Sequence, residues 1–77
     1  MKVLVMYEQY GAGVKFVMVA RTEAVTMVSP IMTIRGNGSG NPYLVFGEAC
    51  AKFTGHNWRD LTISCFKAAS GGLEGWI

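Results

Sequence analysis

One histidine and two cysteines are where chemistry would first be sought. His56 stands in "TGHNW", with Cys50 before it and Cys65 after it. A thiol beside an imidazole makes a nucleophile and its base. Two thiols, an imidazole and a carboxylate could together hold zinc. The spacing supports neither use. Zinc ligands come in short paired spacings, and these three residues are spread over 50–65. Both cysteines fall on the apolar faces of predicted elements, where a thiol behaves as a small hydrophobe. His56 falls in a polar turn between two predicted helices. The thiols therefore read as packing residues, and neither a metal nor a cofactor is expected.

The acids are no more suggestive. Glu8, Glu23, Glu48, Asp60 and Glu74 are scattered singly. Glu48 and Lys52 have the i, i+4 spacing of a helical ion pair. Asp60 stands where a capping box would put an acid, three residues after Asn57. Glu8 and Glu23 have no sequence signal that pairs them. Neither G-x-S-x-G nor H-E-x-x-H occurs, so an enzyme is not expected.

A second candidate is "RGNGSGNPYLVF", residues 35–46, with glycines at 36, 38 and 40. A glycine-rich loop feeding a helix N-terminus can bind phosphate. The P-loop needs a Lys and a Ser or Thr that are missing here, and the dinucleotide fingerprint needs G-x-G-x-x-G with a later acid. The loop reads as a connector. Anion or nucleotide contact through Arg35 and the loop amides at 36–40 is the alternative.

Aromatic and arginine side chains remain. Trp, Tyr and Arg are enriched at protein–protein hot spots. Those next to loops and charge are Tyr10, Tyr43, Trp58 with Arg59, and Trp76. "GHNWRD", residues 55–60, gathers His56, Trp58 and Arg59 where a turn meets an element start. Tyr10, Arg35, Tyr43, His56, Trp58 and Arg59 are therefore the candidate binding residues.

These side chains need a scaffold, and composition bounds it. The chain has 77 residues, 51% hydrophobic and 16% charged, with a net charge of +2. That is one domain, 1–77, too apolar for disorder. A core this small supplies little stability, and oligomerisation is a usual remedy. The two signs of charge alternate without runs, unlike the clustered stripe of a nucleic-acid binder. No secretory signal or membrane span is visible. Free thiols fit a reducing compartment, so a cytoplasmic protein is expected, and the initial Met suggests a complete short reading frame.

"KVLVMYE" (2–8) and "VKFVMVA" (14–20) have strand composition, and "QYGAG" between them carries the glycines of a hairpin turn. Both strands are apolar on two faces, which predicts a sheet covered twice, by helices or by a partner chain. Residues 21–30 are ambiguous: Thr22 could cap a helix, whereas Val25, Thr26 and Val28 favour strand. "IMTIR" (31–35) reads as a further strand. Asn41 and Pro42 then open a helix, with Phe46, Ala49, Cys50 and Phe53 on one face and Gly55 as its C-cap. Residues 57–69 carry two patterns. Asn57, the Trp58/Leu61/Cys65/Ala69 spacing and Gly71–Gly72 describe a helix. Leu61, Ile63 and Cys65 alternating with Thr62, Ser64 and Phe66 describe a strand. The end signals favour the helix. The apolar tail "LEGWI" should dock onto something.

The expected fold is α+β: a small, mostly antiparallel sheet, made of an N-terminal hairpin plus a further strand, packed against a C-terminal helical hairpin. The expected function is a non-enzymatic protein-binding module, a regulator or inhibitor of a larger protein. Its size is that of bacterial or phage accessory factors. A small-ligand or nucleotide binder using Arg35 and loop 36–40 is the alternative, and nucleic-acid binding comes third.

Overall fold

The computed structural model describes residues 1–35, 42–69 and 71–76, with the side chains at 42, 43 and 76 excepted. The glycine loop 36–40, the Asn41 cap and Ile77 lie outside the described residues, as do the side chains of Tyr43 and Trp76.

Two long strands form the centre. β1 (Lys2–Tyr10) and β2 (Gly13–Arg21) pair antiparallel, with Val5 opposite Met18 and Tyr7 opposite Phe16. The hairpin is tighter than a five-residue connection, because Gln9 and Tyr10 pair with Val14 and Gly13. Gly11 takes φ 48°, the left-handed region a tight turn needs. Gly13 is required for a different reason: a Cβ there would sit 3.0 Å from the Tyr10 ring and from the Ile34 carbonyl.

Both further short strands pair with the other edge of β2. β3 (Thr26–Val28) lies along Val19–Arg21, and β4 (Met32–Arg35) along Gly13–Phe16. Thr22 starts no helix. Its hydroxyl accepts from the amides of Ala24 (3.3 Å) and Val25 (3.1 Å) and closes the turn into β3. Between β3 and β4 the ladder is completed by a side chain. Ser29 Oγ, buried, accepts from Met18 N at 2.8 Å and donates to the Pro30 carbonyl at 3.0 Å.

α1 (Pro42–Thr54) follows. Its end is a glycine cap: Gly55 has φ 73° and its N–H donates to the Ala51 carbonyl at 2.9 Å. Glu48 and Lys52 do not form the expected ion pair; the salt bridge found among the described residues is elsewhere. Both are exposed, where such a pair gains little.

Among the described residues no second α-helix follows, and the expected C-terminal helical hairpin is wrong. Residues Trp58–Asp60 make a single 3-10 turn, and Thr62–Lys67 form β5, parallel to β1. The physical reason lies in β1. Its edge away from β2 carries unpaired backbone donors and acceptors beside the core, and a strand satisfies them where a helix cannot. Asn57 and Asp60, expected to open a helix, are spent on the 3-10 turn. The sheet is therefore mixed, with order β3–β2–β1–β5 and β4 also on β2, and α1 carries the chain from β4 to β5.

The main core lies between α1 and one sheet face. Val3, Val5, Phe16 and Met18 meet Phe46 and Cys50. The Phe46 ring centroid stands 4.9 Å from that of Phe16 and 5.6 Å from that of Tyr7. Ala49 and Phe53 pack beside them, as do Leu61, Ile63 and Cys65.

Alternation puts Leu4, Glu8, Lys15, Val17, Val19 and Phe66 on the opposite face. The expected double cover is only partial there. Residues 71–76 fold back over one end: Gly71 N donates to Glu8 Oε2 at 2.7 Å, and Lys15 Nζ lies 4.0 Å from Glu74 Oε1. Leu73 and Val17 are wholly buried. The other end of this face is an open groove.

Candidate functional site

The turn before β5 is held by short local bonds. Asn57 stays extended, and its Oδ1 accepts from Arg59 N at 3.2 Å. Leu61 N returns to the Trp58 carbonyl at 3.2 Å, and Thr62 N reaches Met1 O at 2.8 Å, which starts the β5 ladder. The side chains are therefore turned out. Trp58 is 59% exposed. The Arg59 guanidinium carbon lies 5.9 Å from its ring centroid, within cation–π range. His56 is exposed beside them, its Nδ1 3.0 Å from the Thr54 carbonyl oxygen.

His56, Trp58 and Arg59 thus share one turn, but the six candidates do not make one site. Tyr10 and Arg35 are neighbours of the Gly13 position, at the hairpin end. The turn leads into Thr62, which pairs with Lys2 at the opposite end. Eight residues of β1 separate the ends, about 26 Å at strand rise. Tyr10 is held locally, with Lys15 Nζ 5.1 Å from its ring centroid. Arg35 is exposed at the mouth of loop 36–40.

The thiols lie in the core. Cys50 is fully enclosed and Cys65 half-buried. Burial, and then the neighbouring Cys65, push the Cys50 thiol up from 9.0 to about 11. Burial also raises Cys65. Such thiols are poorly ionised and weakly nucleophilic at neutral pH. His56 sits on an exposed turn while Cys50 is enclosed, so they present no joint surface. Among the described residues no group of three or more His, Cys, Asp or Glu could hold a metal.

Two features escaped the sequence. Ser29 gave no signal beyond a polar residue before Pro30. The other is a cation pair: Lys2 and Arg21 are direct cross-strand partners. Charges that alternate harmlessly along the chain are brought together by the register. A two-residue hairpin turn puts them opposite each other, whereas the expected five-residue connection does not.

No protein-family model, curated protein or solved structure matches this chain. Among the described residues, no helix is long and apolar enough to cross a membrane.

Proposed function

We propose that this chain is a non-enzymatic, cytoplasmic protein-binding module, a regulator or inhibitor that docks on a larger protein through the turn at 56–59. The supporting observation is Trp58, a large apolar ring left in solvent with Arg59 held over it. Exposing an indole on a small, stability-limited domain has a use if a partner covers it. Arg59 then offers a planar fork to a partner carboxylate.

The test begins with capture of the partner from the native host and its identification by mass spectrometry. Affinity is then measured for the purified pair. Arg59→Ala and Trp58→Ala are each expected to weaken binding by about 2 kcal/mol or more, the hot-spot threshold. Neither should shift the melting temperature much, because both side chains are exposed. Raised salt should shrink the Arg59 effect. Unchanged affinity in both variants would remove the turn as the docking surface.

A further inference from the structure

The uncovered end of the sheet carries a second feature, independent of that turn. An open groove of about 620 Å³ runs over Leu4, Val19 and Phe66, with Lys2 and Arg21 at one end and Thr62 and Ser64 along one side. That volume is typical of small-ligand sites. Lys2 and Arg21 are directly opposite on paired strands, so their Cβ atoms lie about 5 Å apart and the like charges destabilise each other. No acidic residue lines the groove. Neither cation forms an ion pair among the described residues. The site therefore has an uncompensated double positive charge that one anion would relieve.

The rows of the sheet define the rest of the ligand. The first row is Arg21–Lys2–Thr62, the second Val19–Leu4–Ser64, and the third contains Met6 and Phe66. Phe66 is 54% exposed, an apolar ring in water at the far end. From the cations to Phe66 is four residues of strand, about 13 Å, which an extended chain of about ten carbons spans. We infer that this groove binds a single-chain anionic amphiphile, its carboxylate or other acidic head between Lys2 and Arg21 and its apolar chain over Leu4 and Val19 to Phe66. Thr62 is placed to donate a hydroxyl hydrogen bond to the head.

The pattern disfavours other anions. Single-stranded nucleic acid brings a phosphate with every nucleotide and wants cations and rings along the whole track. Here both cations stand in a single row at one end, and one ring lines the groove. An acidic peptide spreads its carboxylates along its length, whereas the groove gathers both cations in one row and continues over Leu4, Val19 and Phe66.

The test uses the whole chain and decanoate below its micellar concentration. Calorimetry should give one site, and amide shifts should change at residues 2–4, 19–21 and 62–66. Binding should be at least about tenfold tighter than for butyrate, which lacks the chain, or for 1-decanol, which lacks the charge. The Lys2→Gln, Arg21→Gln double variant should lose the preference for decanoate over decanol. Phe66→Ala should weaken decanoate and leave butyrate unchanged. All three side chains are exposed, and the amide spectrum checks that the variants fold. The inference is overturned if decanoate does not bind, if decanol binds as well, or if the shifts fall elsewhere. Binding to phosphatidylglycerol vesicles without a response to decanoate would also overturn it, because the face would then contact a membrane surface.

Discussion

Cys50 illustrates how a reactive group becomes a structural one. Its thiol is enclosed between α1 and the sheet, and burial holds the neutral form up to about pH 11. The sign of the consequence is fixed by linkage. In the unfolded chain the thiol ionises near its ordinary 9.0; folded, it does so at about 11. Between these values the unfolded state binds fewer protons, so stability falls as pH rises through the window and is fully present below it. Thermal melts of wild type from pH 8 to 11 should therefore decline more steeply than those of Cys50→Ala, in which the other alkaline groups still titrate. Equal slopes would mean the thiol is solvated. The packing role of both cysteines was legible from their apolar neighbours. Ser29 was not, because its task arises only where β3 and β4 leave a gap along β2. A hydroxyl standing in for a strand carbonyl has no sequence pattern of its own.

Among the elements, α1 was the most legible, since Phe46, Ala49, Cys50 and Phe53 do face the sheet. The stripe does not rank its members. Phe46 is enclosed by Phe16 and Tyr7, whereas Phe53 is only half-buried. Phe46→Ala should cost about 3–5 kcal/mol, and Phe53→Ala clearly less, with chemical denaturation as the measure. Reversed magnitudes would mean the helix is rotated about its axis. Residues 57–69 hold a strand and not the expected helix: two periodicities coexist there, and the end signals belong to something else. Asn57 caps a single 3-10 turn, and Gly71, at φ 78°, serves the fold-back of the C-terminal segment. What decides for strand is the unpaired edge of β1, which local sequence cannot reveal. The candidate site suffered in the same way. Trp58, Arg59 and His56 stand together because they are contiguous, while Tyr10 and Arg35 went to the far end because of the register.

Across the whole molecule, the two faces of the sheet are closed by unequal means. One has a helix; the other has a short C-terminal segment tied by Glu8 and Lys15. Glu8→Ala removes the acceptor of the Gly71 amide and should loosen this segment. Amide exchange at 71–74 should speed up while the β1–β2 hairpin stays protected, and the melting temperature should drop as Val17 loses cover. Unchanged exchange would show that Leu73 alone holds the segment down. The parallel pairing of β1 with β5 carries a consequence of another kind. The hairpin joins neighbours in the chain, but Lys2 must wait for Thr62. Closing so long a loop is slow and entropically unfavourable until α1 has docked. During synthesis the hairpin can form as soon as it is free of the ribosome, while β1 keeps a bare edge until nearly all of the described chain has been made. For that interval the nascent protein is a sticky half-sheet, and its safety rests on how fast the last strand arrives.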